Sequence, residues 1–116
     1  MSSPKKTVFV FTTYGMGQTS NVDLKIALAK KFLTLIAADE TLPTQICFYT
    51  DGVRLCVNDS PALNELRALA AKGVELILCS TCLDTFGLRD QVGVGIVGGM
   101  GDIIAAMTRA DTVVTL

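Results

Sequence analysis

Short apolar runs alternate along this chain with longer stretches in which apolar residues recur at helical spacing. Thr7–Thr13 is β-branched and aromatic and runs into Tyr14-Gly15-Met16-Gly17, which predicts a buried strand ending in a glycine turn. From Asn21 to Ala38, Leu24, Leu28, Phe32, Leu35 and Ile36 predict a helix with one apolar face, capped by Asn21. Thr44–Tyr49 predicts a second strand with Asp51-Gly52 as its turn, and Val53–Val57 a short extra strand. Ser60-Pro61 is a helix start, with Leu63, Leu66 and Leu69 facing inward and Gly73 as the stop. Val74–Leu78 predicts the third main strand, Cys82–Phe86 a short helix closed by Gly87, and Val92–Val97 the fourth strand. A helix with Ile103, Ile104 and Met107 inward then leads to a last strand over Thr112–Leu116.

Alternation of strand and helix implies crossover connections, hence a mostly parallel sheet of about five strands with helices on both faces. The expected fold is an α/β/α sandwich forming one domain over residues 1–116, with residues 1–6 fraying. Ligands in such sheets bind at the carboxyl ends of strands. The loops expected there are Tyr14–Gly17, Tyr49–Gly52, Cys79–Cys82 and Gly98–Asp102, and every conspicuous local feature falls on one of them.

Composition narrows the functional classes. Hydrophobic residues make up 50% and charged residues 18% of the 116, which is apolar for so small a domain. Such a surface predicts self-association as well as a sheet covered on both faces. The net charge is −1 with no basic stripe, so nucleic acid is not an expected partner. No apolar run approaches the roughly 20 residues of a membrane span. The run after Lys5 and Lys6 also breaks too early for a secretory leader, which points to the cytoplasm.

The four cysteines are Cys47, Cys56, Cys79 and Cys82, and there is no histidine to serve as base or ligand. Cys79-x-x-Cys82 is the sharpest signal. Its first thiol ends a strand and its second opens a helix that Ser80 or Thr81 can cap. Unpaired backbone N–H groups near sulfur favour thiolate over thiol. Against this stands a bland reading, in which Cys79 simply continues Val74–Leu78 into the core. Cys47 reads as core, Cys56 has no assigned place, and the spacing does not match a structural zinc site. No metal or other cofactor is expected. Gly15-Met16-Gly17 and Gly98–Gly101 read first as tight turns, with spare N–H groups for an anionic ligand. Asp51 and Asp102 read as turn and helix-start residues near the same crevice. The candidate ligand-binding set is therefore Tyr14, Gly15, Met16, Gly17, Asp51, Gly52, Ser80, Thr81, Gly99 and Met100.

Phe48-Tyr49-Thr50-Asp51-Gly52-Val53, Lys72-Gly73-Val74-Glu75, Cys79-Ser80-Thr81-Cys82-Leu83-Asp84 and Gly87-Leu88 resemble the DsrE-like sulfur-relay superfamily, in particular the C-terminal domain of its YedF group, associated with selenium metabolism. The resemblance runs from the first strand to Leu116. It implies a three-layer α/β/α fold, homo-oligomers, and a cysteine that accepts sulfur as a persulfide and passes it on. Cys79, eight positions before Gly87, stands at the matching place, and Cys82 matches the extra cysteine of the YedF group. One departure is Gly99-Met100-Gly101, where that group has Asn-Met-Tyr.

Three functions follow as expectations. The first is a cysteine persulfide carrier or sulfurtransferase, with donor and acceptor proteins as partners, Cys79 bearing the sulfur and Cys82 resolving it. Cys79 is then an unusually acidic thiol, activated by backbone N–H groups with help from Arg54 or Arg89. The second is a non-catalytic oligomeric module for a small anionic ligand or a partner protein. The third is a dithiol–disulfide oxidoreductase, ranked lower because Pro4, Pro43 and Pro61 all precede the motif, and a thioredoxin-like site needs a facing cis-proline.

Overall fold

The computed structural model describes residues 5–39 and 42–116. The expected fraying of residues 1–6 thus falls mainly outside the described part. Lys6 is tied down: its N–H donates to Asp111 Oδ2 at 2.7 Å, and its carbonyl accepts from Asp111 and Thr112.

Five strands form one sheet: β1 (Thr7–Phe11), β2 (Gln45–Phe48), β3 (Glu75–Cys79), β4 (Ile96–Gly98) and β5 (Thr112–Thr115). All four pairings are parallel, in the order β4-β3-β2-β1-β5. The helices are α1 (Val22–Ala38), α2 (Leu63–Ala71), α3 (Ser80–Phe86) and α4 (Met100–Arg109), with 3-10 turns at Thr50–Cys56 and Arg89–Gln91. Strand alternation assigns the faces. Phe9 and Phe11 meet Phe32 of α1 edge to face, at 5.0 and 6.4 Å between centroids, and Phe11 stacks on Phe48 at 5.6 Å. Ile46, Leu76 and Leu78 share that face by register. Val8, Val10, Cys47 and Ile77 point the other way, toward α4. The result is the expected three-layer α/β/α sandwich.

The connections place the site. Strands β1 to β4 are laid down in one direction across the sheet, and right-handed crossovers then keep their connections on a single face. The approach to β4 does cross that face, where Gly95 lies against Leu76 and Leu78. From β4 the chain doubles back through α4 to the opposite edge, so α4 covers the other face. The chain leaving β3 and the chain leaving β4 therefore diverge to opposite sides. Crevices open at such switch points.

Several expected boundaries move, each for a local reason. Val53–Val57 is not a strand: Thr50–Cys56 is a 3-10 turn that buries Val53, Leu55 and Cys56. Helix α2 begins at Leu63, because Ser60-Pro61-Ala62 forms a turn in which Ser60 Oγ accepts the Ala62 N–H at 3.1 Å. Strand β4 starts only at Ile96, because Val92 bridges Val57 antiparallel and Gly93 N–H donates to Cys56 O at 2.8 Å. The short helix opens at Ser80 with Cys79 itself at the N-cap, so neither Ser80 nor Thr81 caps it.

The apolar faces of α1 and α4 also differ from expectation. Asn21 caps α1 as expected, its Oδ1 accepting the Leu24 N–H at 3.0 Å. The core face of α1, however, is built from Ala29 and Leu33 with Ile26, Phe32 and Ile36 beside them. Leu24, Leu28 and Leu35 lie on the opposite side and are exposed. The helix is apolar on two faces, and periodicity alone does not say which one meets the sheet. In α4, Ile103 and Ala106 are buried while Ile104 is half exposed. Every residue of the edge strand β5 is exposed.

Cys47 and Cys56 are fully buried core residues. Burial, reinforced by the nearby Glu75 carboxylate, pushes the Cys47 thiol up to about 11 from 9.0. Burial alone raises Cys56 well above its ordinary value. A thiol raised in the folded state ionises first in the unfolded chain. Its stabilising contribution is complete below about pH 9 and is lost as pH rises toward 11. Thermal unfolding between pH 8 and 11 is expected to show this fall, and Cys47→Ala to flatten it; an unchanged slope contradicts the assignment. Gly52 provides a second check. A Cβ there would lie 2.1 Å from Phe11 O. Gly52→Ala should cost on the order of 3 kcal/mol in denaturant unfolding, and a loss near zero would mean the turn is not packed this closely.

Candidate functional site

The parallel sheet brings the loops after β1, β2, β3 and β4 to one edge. They do not contribute equally. After β1, the Tyr14–Gly17 loop is spent on its own turn. Gly15 N–H donates to Thr13 O at 2.9 Å and Met16 N–H to Lys25 O at 3.0 Å. Gly15 sits at φ +132°, and a Cβ there would lie 2.5 Å from Lys25 Cβ. The glycine is needed to seat the loop on α1, which is the tight-turn role. Tyr14 leans away and lines a groove of about 280 Å³ with Arg54, Val57, Ser60 and Leu88.

After β4, Gly98 pairs in register with Cys79 and so abuts the thiol strand. Gly99 is the N-cap of α4, and its N–H donates to Asp102 Oδ2 at 2.9 Å. Asp102 is thus occupied in starting the helix. Met100 is exposed on that helix's first turn.

The chemistry gathers between the ends of β2 and β3. Cys79 closes β3 at 2% exposure. It is the N-cap of α3, but its side chain makes no capping hydrogen bond. One turn later Cys82 is partly exposed, with Cys79 as an ionisable neighbour. Its Sγ also accepts the backbone N–H of Thr50 at 3.0 Å.

Thr50 is the residue that sequence reasoning misses. It sits at φ +50°, an outlier for a β-branched residue, at a cost on the order of 1–3 kcal/mol. Its hydroxyl holds that conformation, donating within reach of both Thr12 O and Tyr49 O. Tyr49 N–H donates to Phe11 O at 3.2 Å, and Gly52 fits beneath the same carbonyl. The whole turn is thereby fastened to the end of β1, with one amide aimed at sulfur. A threonine beside Asp51-Gly52 gives no sequence signal of this.

The electrostatics around the pair are not cationic. Burial raises the Cys82 thiol above its ordinary value, as do the neighbouring Cys79 thiol and the charge of Asp51, while the Thr50 amide pulls it down. Arg54 does not neutralise the sulfur: its Nε donates to Asp51 Oδ1 at 3.0 Å and its guanidinium stacks 4.2 Å over Phe86. Arg89 is held by Asp84 through two bonds of 2.7 and 2.8 Å. Among the described residues, no three His, Cys, Asp or Glu side chains stand close enough to hold a metal ion. Of the sequence-derived set, the structure thus brings together Cys79, Cys82, Asp51, Gly52, Ser80, Thr81 and, beside Cys79, the Gly98–Gly99 turn. It leaves Gly15 and Met16 seated against α1, Gly17 beyond them, and Tyr14 in the neighbouring groove with Arg54.

The fold recurs in solved structures. The protein of unknown function MTH1491 from Methanobacterium thermoautotrophicum superposes with a TM-score of 0.68 at 25% identity, over 97% of this chain and 99% of its own. The ychN protein from E. coli gives 0.69 at 23% identity, over 97% and 99%. BT1422 from Bacteroides thetaiotaomicron, also of unknown function, gives 0.68 at 16%, over 96% and 95%. No curated protein matches the sequence. The DsrE/DsrF-like family profile matches residues 5–116. With the all-parallel sheet and the strand-end cysteine that the resemblance had implied, the match leaves one conclusion: the chain belongs to the DsrE/DsrF-like family.

Proposed function

We propose that this protein is a cysteine persulfide carrier in a sulfur relay, working through Cys79 and Cys82. The supporting observation is the pair itself: two neighbouring thiols at the switch point, one of them taking a backbone N–H on its sulfur. A thiolate attacks the outer sulfur of a donor persulfide. The donor's S–S bond breaks, the donor leaves as a thiol, and the protein keeps a persulfide with no net oxidation. Hydrogen-bond donors fixed in advance stabilise the anionic sulfur in that exchange. No cofactor is required, because the sulfur is cargo. Donor and acceptor are thiol proteins that reach the carboxyl edge of the sheet. The narrower grouping with YedF, and a selenium cargo with it, belongs to the same proposal through the extra cysteine, Cys82.

The pair also favours a second reading, dithiol–disulfide exchange, since the two thiols are neighbours one helical turn apart. Intact mass separates the two. Incubation of the reduced protein with a low-molecular-weight persulfide is expected to add about 32 Da per sulfur, and Cys79→Ser/Cys82→Ser to add nothing at this site. A wild type that only loses two hydrogens, with Cys79→Ser and Cys82→Ser both failing to load sulfur, favours the oxidoreductase. One that stays unchanged favours a non-catalytic binding module.

Self-association is part of the proposal. Leu24, Leu28 and Leu35 form an outward stripe on α1, and β5 is exposed along its length. A stable contact buries on the order of 1,000 Å² or more, and these faces supply apolar area for it. Light scattering at micromolar concentration should give a multiple of the chain mass, reduced by Leu28→Glu with Leu35→Glu. A monomeric wild type would rule this part out.

A further inference from the structure

We infer that Cys82, rather than Cys79, is the thiol that meets the sulfur donor, with the Thr50 amide as the anchor of its sulfur and Cys79 as the second thiol behind it. The inference rests on the persulfide reading above and assigns its roles. Access comes first. Sulfur exchange needs the attacking sulfur, the transferred sulfur and the leaving sulfur nearly in line, so the attacking atom must face solvent. Cys79 is 2% exposed, whereas Cys82 is partly open. Anchoring comes second. Among the described residues the backbone N–H that reaches a cysteine sulfur is that of Thr50, and it reaches Cys82 at 3.0 Å. Cys79, at the N-cap, makes no corresponding bond. The third argument is the strained turn. Thr50 holds φ +50° through its own hydroxyl, bonded to the end of β1. Backbone strain kept in place by a dedicated side-chain bond, with the amide directed at a reactive atom, marks a positioning residue.

The steps balance. Cys82 thiolate bonds the outer sulfur of the donor persulfide and the donor thiol leaves, giving Cys82–S–SH. An acceptor thiol can take that outer sulfur by the same exchange. Otherwise Cys79 attacks Cys82 Sγ. The Cys82 S–S bond breaks, the outer sulfur departs as sulfide carrying the electron pair, and the two cysteines close a disulfide that a thiol reductant reopens. Asp51 and Cys79 are the ionisable neighbours of Cys82, and both oppose its ionisation. This leaves the Thr50 amide as the local group favouring the anionic sulfur.

The test uses the full chain and a low-molecular-weight persulfide, read by intact mass and peptide mapping. Cys79→Ser should load one sulfur on Cys82 and keep it, and Cys82→Ser should not load. Loading by Cys82→Ser with none by Cys79→Ser overturns the assignment but leaves the relay reading standing. Failure of the wild type and of both single variants to load overturns the relay reading and this assignment with it. Limited alkylation of the native wild type needs no variant: Cys82 should be modified first, and earlier modification of Cys79 counts against the proposal. For Thr50 the readout is the pH profile of Cys82 alkylation. Thr50→Val should slow the reaction about tenfold near neutral pH, in line with losing a hydrogen bond to a charged group, and move its midpoint upward. Thr50→Ser, which keeps the hydroxyl, should restore the wild-type profile. Identical profiles for all three proteins would remove Thr50 from the mechanism.

Discussion

The turn after β2 passes so close over the end of β1 that no side chain fits between them. Gly52 lies beneath the carbonyl of Phe11, Tyr49 donates its N–H to that same oxygen, and the Thr50 hydroxyl reaches the carbonyl of Thr12. These contacts act as a staple between neighbouring strand ends. They fix the amide that faces Cys82. The stacked rings of Phe11 and Phe48 lie directly under the staple and keep the two strand ends in register. Core packing and site geometry are therefore one constraint, and a fault at Gly52 reaches the thiol pair without touching it.

That constraint sorts the four cysteines into two kinds. Cys47 and Cys56 are buried in the core, and burial, helped at Cys47 by the Glu75 carboxylate, holds them as neutral thiols. Cys79 and Cys82 stand where the chain leaving β3 and the chain leaving β4 part to opposite faces. There a sulfur can meet both solvent and a backbone donor. The surroundings of Cys82, with Asp51 nearby and both arginines engaged elsewhere, oppose thiolate formation, and the Thr50 amide is the local group that favours it.

Much of this fold can be read from residue order. Strand–helix alternation gives the parallel sheet, Asn21 and Gly87 mark helix ends, and Cys79 falls at a strand terminus. What escapes is long-range. Val92 reads as part of β4 until Val57, thirty-five positions earlier, claims it in an antiparallel bridge. Leu24, Leu28 and Leu35 read as a core face because a helix with two apolar sides gives the same periodicity whichever side meets the sheet. Thr50 carries no local mark at all. Its positive φ is held by a hydroxyl bond to Thr12, just past the end of β1, against its own preference. The motif was legible in the sequence, and the group that serves it was not.

The ¹H–¹⁵N spectrum of the reduced protein, before and after persulfide loading, addresses that group most directly. Sulfur added to Cys82 changes the acceptor of the Thr50 N–H, so the Thr50 amide resonance should move furthest, while the amides of Cys47 and Cys56 stay in place. An unmoved Thr50 resonance, with the largest shifts instead at Gly98 and Gly99 beside Cys79, would contradict the account.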